Sequence, residues 1–136
     1  MKADFKKQIE SYVMFLLMML SASFKILHYG PSIHFYVYPL PDIMLNSIGY
    51  IELLCGILYF VGAKNRSFRV YGGLIAIPLL IGAVGSHIAF GWFNLFEGAS
   101  EPFHFTLPSF IILCLAIYIS YKPIEKFIKS GFKAIK

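Results

Sequence analysis

The sequence predicts an all-α integral membrane protein, a bundle of four transmembrane helices followed by a basic amphipathic helix. That prediction rests on composition, on the length of the apolar runs and on where the charge lies. Of 136 residues, 58% are hydrophobic and only 14% charged, with a mean hydropathy of +0.70, against roughly 25% charged residues in an ordinary soluble domain. The apolar residues form four runs of membrane-crossing length, about 20 residues each. All but one of the 12 lysines and arginines lie outside the apolar interiors of those runs, on a single side of a four-span chain. One transmembrane domain, residues 1–136, takes up nearly the whole length, which leaves little for a soluble catalytic unit.

The first span is predicted over residues 11–29, ending at Gly30-Pro31 because proline disfavours helical geometry in the residue before it. The second covers 42–62, with Asp42 placed as an N-cap after Pro41. A third covers 68–92 and is expected to kink at Pro78, since neighbouring helices can satisfy the freed backbone groups. The fourth covers 103–121, with a bend near Pro108. In the tail, residues 122–136, Ile124, Phe127, Ile128, Phe132 and Ile135 recur at helical spacing opposite five lysines, the pattern of a helix lying in the interface. Each lysine near an anionic surface contributes about 1 kcal/mol, so anionic lipids are the expected partner of this tail.

Orientation follows from the basic residues. Lys2, Lys6 and Lys7 precede the first span, Lys64, Arg66 and Arg69 follow the second, and the remaining lysines apart from Lys25 sit in the tail. The other side offers Asp42, Glu97, Glu101 and neutral histidines. The positive-inside rule places both termini in the cytoplasm, for a multi-pass protein of a bacterial cytoplasmic (inner) membrane. The lipid surface accounts for the net charge of +5 without nucleic-acid binding. Lysines, an apolar run and Ser21-Ala22-Ser23 also resemble a secretory signal with a small-residue cleavage site. Asp4 and Glu10 dilute the basic region and apolar residues resume after Ser23, so the segment is expected to be retained.

Familiar soluble chemistry finds no motif. Cys55 and Cys114 are isolated, which argues against a paired-thiol redox centre or a thiol-metal site, and no metal is expected. A glycine-rich phosphate loop, a His-Glu-x-x-His helix and a Gly-x-Ser-x-Gly elbow are all missing from the sequence.

Candidate site residues are the ionisable groups inside the spans. An unpaired charge near the bilayer centre costs about 2.5–3.5 kcal/mol on insertion scales, so such groups tend to be paired, inward-facing and functional. Lys25, Glu52 and His87 each interrupt a different span and form the predicted intramembrane cluster. Gly49, Glu52 and Gly56 fall on one helix face, a small-residue lane where another helix approaches closely. The third span carries a similar lane of Gly72, Gly73, Ala76, Gly82, Ala83, Gly85, Ser86 and Ala89, expected to pack tightly, with His87 in the row of Ala83 and Gly91. The competing structural reading has Lys25 snorkelling to the interface, Glu52 protonated against a neighbouring backbone, and His87 serving as an interhelical donor. His28, Trp92 and His104 make a second candidate site on the outer side. The aromatic residues of the outer loops fit a headgroup belt better than the mouth of a quinone or lipid site. A bis-histidine haem between His87 and His104 is geometrically conceivable, but interfacial hydrogen bonding explains the same residues, and haem is not expected.

Residues 23–27 (Ser-Phe-Lys-Ile-Leu), 51–62 (Ile-Glu-Leu-Leu-Cys-Gly-Ile-Leu-Tyr-Phe-Val-Gly) and 85–87 (Gly-Ser-His) resemble the DoxX-like pattern, in which a lysine closes the first span, a glutamate precedes glycines in the second and a histidine lies late in the third. The resemblance covers about residues 11–121. It implies a four-helix membrane protein of a superfamily with varied roles. These include subunits linked to thiosulfate:quinone oxidation, partners in bacterial membrane oxidoreductase complexes, proteins for amine dehydrogenase maturation, and eukaryotic relatives that chaperone receptors or carry secretory cargo. By match to the pattern, Lys25, Glu52 and His87 are the residues to carry over. Ala22 stands where many members have glycine, which implies a looser helix approach there. The implied role is an accessory subunit supporting a quinone-linked redox complex, not an enzyme on its own. Quinone is then the ligand to test, with no covalently bound cofactor and with a membrane or redox partner protein. The alternative is a non-enzymatic assembly factor or chaperone for other membrane proteins.

Overall fold

The structure, a computed structural model, describes residues 2–27, 42–86, 88 and 103–130, without the side chains of residues 2–4, 42 and 103–108. Four long helices carry the fold: α1 (Lys2–Ile26), α2 (Asp42–Gly62), α3 (Arg66–Ser86) and α4 (Phe103–Lys129). Three of them contain stretches long and apolar enough to cross a membrane, Phe5–Ile26, Ile43–Gly62 and Arg66–Ser86.

The helix ends show which sequence signals set them. α2 occupies the predicted residues; the side chain of Asp42, the predicted N-cap, lies outside the described residues. α1 begins nine residues before the predicted Ser11, because the polar start is itself good helix. Phe5 and Ile9 continue one face, and Lys6 lies 3.8 Å from Glu10 one turn on. Its last turn closes through the Leu27 amide donating to the Ser23 carbonyl. Gly30-Pro31, the predicted stop, lies outside the described residues. α3 starts at Arg66, where Asn65 Oδ1 accepts from the Ser67 amide at 3.0 Å in the manner of an N-cap. It runs unbroken through Pro78 to Ser86; most of the residues predicted to complete it, 87 and 89–92, lie outside the described residues.

The C-terminal tail requires a correction. The sequence ends the fourth span at Tyr121 and places a helix lying in the interface over residues 122–136. Instead α4 is one helix of 27 residues through Pro108 and Pro123 to Lys129, a rod of about 40 Å. Packing explains the continuity. Phe127 is buried, its ring 6.4 Å from that of Tyr71, and Ile124 Cδ1 reaches to 3.3 Å from where a Cβ on Gly73 would stand. Ile124 and Phe127 of the tail therefore lie on α3, while Lys126, Ile128 and Lys129 face outward, and Phe132 and Ile135 lie outside the described residues.

Around the bundle α1 packs on α2, α2 on α3, α3 on α4, and α4 returns to α1. Their shared core is Met14 and Met18, Cys55 and Tyr59, Ala76 and Leu80, and Leu113, Ala116 and Ile119. The outer faces are apolar too, with Leu16, Leu54, Phe60, Ile81 and Ile111 exposed. Helices that are hydrophobic all round suit a lipid surrounding better than water. Small residues set the spacing. A Cβ at Gly72 would meet Leu58 and Tyr59, and one at Gly73 would collide with Ser120.

Candidate functional site

The structure brings Lys25 and Glu52 together. Lys25 Nζ donates to Glu52 Oε1 at 2.9 Å and Oε2 at 2.8 Å, and to Ser21 Oγ at 2.8 Å. The side chains are 12% and 2% exposed. Ser21 and Lys25 stand one turn apart on the same face of α1, and Glu52 occupies the middle of α2. Gly49 makes the approach possible. A Cβ there would lie 2.8 Å from Ile26 Cγ1, 3.2 Å from Lys25 Cβ and 3.3 Å from the Ala22 carbonyl oxygen. Ala22 is itself buried, and the glycine that permits this approach stands opposite it on α2.

A cavity of about 320 Å³ opens beside the pair. Ser21, Lys25 and Glu52 form its polar wall, Pro78 and Gly82 line it from α3, and Ser109 lines it from α4. The small-residue lane of α3 behaves differently in its two halves. Gly72 and Gly73 pack tightly as expected, whereas Cβ atoms at Gly82 and Gly85 would meet nothing within 4 Å among the described residues. The expectation of tight packing thus fails in the second half, where small side chains leave space instead of filling it. The site combines a bifurcated ion pair, hydroxyl groups and an apolar wall, which is the composition of a pocket for an apolar ligand with a polar end.

The other predicted site residues are not brought into view. His28, His87 and Trp92 lie outside the described residues, as does the side chain of His104. Among the described residues no three His, Cys, Asp or Glu side chains gather as a metal site. Cys55 is buried in the core and Cys114 is exposed on α4.

Two polar arrangements escaped the sequence reading. Tyr59 and Ser120 share a buried 2.8 Å hydrogen bond between α2 and α4. Arg69, taken as a loop charge, is buried and donates from Nε and Nη2 to the Gly62 carbonyl at 3.1 and 2.8 Å. It thereby satisfies an orphan acceptor at the end of α2. The brevity of the turn between Gly62 and Arg66 was the available signal, since it keeps a first-turn arginine within reach of the preceding helix end.

Compared with known proteins, the chain matches no family model, no curated protein and no solved structure. The likeness to the DoxX-like pattern stands on the three short motifs of the sequence.

Proposed function

We propose that this chain is a multi-pass membrane protein of DoxX-like type, with four spans and both termini in the cytoplasm of a bacterium, and that it serves as an accessory subunit of a quinone-linked redox complex. Three helices of spanning length and the one-sided basic residues support the membrane reading. The fourth span is the apolar part of α4, residues 103–121.

The observation that carries the functional reading is the Lys25–Glu52 pair in the wall of a cavity of about 320 Å³, the lower end of the range for small-molecule sites at roughly 300–1,000 Å³. A ring headgroup fits that space with its carbonyl toward the Lys25 ammonium. Exchanging the Ser21 contact for the ligand leaves both bonds to the carboxylate in place. Pro78, Leu79 and Ile112 supply apolar walls. The chain's task in this reading is to bind and orient the quinone, while a partner protein supplies the electrons from its own cofactor.

The test is purification in mild detergent, followed by extraction and analysis of bound quinones and identification of co-purifying proteins. Gly82→Leu fills the cavity from a position with free space around it, so it is expected to remove the quinone and leave the bundle folded. Isolated chain given a quinone analogue and thiosulfate is expected to show no turnover. Turnover without a partner would overturn the accessory role. Client membrane proteins without quinone would favour the assembly-factor alternative.

A further inference from the structure

A larger cavity, about 900 Å³, lies at the opposite end of the bundle, where the start of α1, the start of α3 and the stretch of α4 from Cys114 to Pro123 meet. Among the described residues, Lys6, Lys7, Arg66, Arg69 and Lys122 line it against a single carboxylate, Glu10. Five positive groups around one negative group leave the enclosure strongly cationic.

Little of that charge is used within the protein. Lys6 leans on Tyr118, at 3.4 Å from its hydroxyl, and stands 3.8 Å from Glu10. Lys7, Arg66 and Lys122 make no hydrogen bond or ion pair among the described residues. Arg69 is a fixed element: 7% exposed, it is clamped by Nε and Nη2 to the end of α2, while its Nη1 has no partner among the described residues. A clamped guanidinium with a donor to spare, sharing one cavity with Lys6, Lys7, Arg66 and Lys122, offers the charge-assisted donors that a phosphate takes.

The wall also has an apolar part. Cys114, Ile117 and Tyr118 continue along α4 from the cationic mouth, and the step from Lys122 to Cys114 is about 12 Å along the helix. An inorganic or soluble phosphate has no use for such a strip, whereas the glycerol and first methylenes of a phospholipid do. We propose that this cavity binds the phosphate headgroup of an anionic phospholipid, with Lys6, Arg66, Arg69 and Lys122 on the phosphate and the Cys114–Ile117 strip along the acyl chain. Basic pockets between helices at the cytoplasmic surface are suited to such headgroups. The site is separate from the Lys25–Glu52 cavity, and it rests on the membrane reading of the chain.

The test uses the full chain in detergent micelles with defined lipids, read by native mass spectrometry and by the shift in unfolding temperature. Dioleoyl phosphatidylglycerol is expected to be retained and to raise the unfolding temperature, and dioleoyl phosphatidylcholine to do neither. Arg66→Gln with Lys122→Gln is expected to weaken retention by roughly 25-fold, about fivefold for each charge removed. Two controls keep the outcome interpretable. Arg66→Lys with Lys122→Arg preserves charge and is expected to retain the lipid, and Lys126→Gln with Lys129→Gln removes two exposed charges outside the cavity and is expected to change little. Equal loss from the second control, unchanged retention in the neutralised cavity, or equal binding of phosphatidylcholine would overturn the site. Full competition by millimolar inorganic phosphate would assign it to a soluble anion and overturn the lipid.

Discussion

Removing one partner of a buried ion pair leaves the other charge desolvated and uncompensated, at a cost of about 3–5 kcal/mol. Glu52→Gln strands the Lys25 ammonium in this way, so it is expected to lower the unfolding temperature in detergent markedly. Lys25→Met combined with Glu52→Met should recover most of the loss, because no charge then remains to be compensated. A single variant as stable as the parent chain would mean that the pair contributes nothing. Tyr59→Phe removes one hydrogen bond to Ser120 and is expected to cost about 1 kcal/mol, measured by the same melts. Lys25 and Glu52 were legible in the sequence because charge inside an apolar run has few explanations. Tyr59, Ser120 and Arg69 were not, since hydroxyl groups are ordinary in such helices and an arginine beside a turn looks solvated. Only the tertiary neighbours distinguish them.

Between helices, the two halves of α3 give opposite expectations for the same substitution. Gly73→Ala drives a methyl group into Ser120, and overpacking of this kind costs about 1–3 kcal/mol. Gly82→Ala meets open space and gains helix propensity worth up to about 1 kcal/mol. Helical circular dichroism followed through thermal unfolding should show the first variant less stable and the second equal or better; loss of stability in both would mean that the cavity is filled. The ends of α2 could be read from the sequence because Pro41-Asp42 and Gly62 bracket an uninterrupted apolar run. The start of α1 and the end of α4 were misplaced for one shared reason. Charge ends an apolar run without ending a helix, and lysine and glutamate propagate a helix well beyond that run.

Across the whole molecule, the membrane reading makes the turn between α2 and α3 cytoplasmic. With Cys55 and Cys114 replaced by alanine, a cysteine at Ser67 should react with an impermeant thiol reagent in inverted vesicles and not in intact cells. Labelling from outside intact cells would reverse the topology. Overall architecture was the most legible level, since hydropathy and charge placement sum over many residues and tolerate local errors. The cavities were the least legible, because they depend on side chains from three or four helices far apart in sequence.

On the membrane reading, the Lys25–Glu52 contact also bears on how the chain enters the bilayer. Its two members sit on consecutive helices, so during synthesis the ammonium is made first and its carboxylate follows 27 residues later. If α1 moved into lipid alone, it would carry Lys25 there unaccompanied, a barrier that vanishes once α2 is beside it. α1 and α2 are therefore expected to leave the insertion machinery as a joined hairpin. Nascent chains of increasing length, arrested and tested for extraction by alkali, should become firmly embedded only after Glu52 has emerged. Glu52→Gln should delay that point, whereas embedding of α1 alone would show that the first helix does not wait.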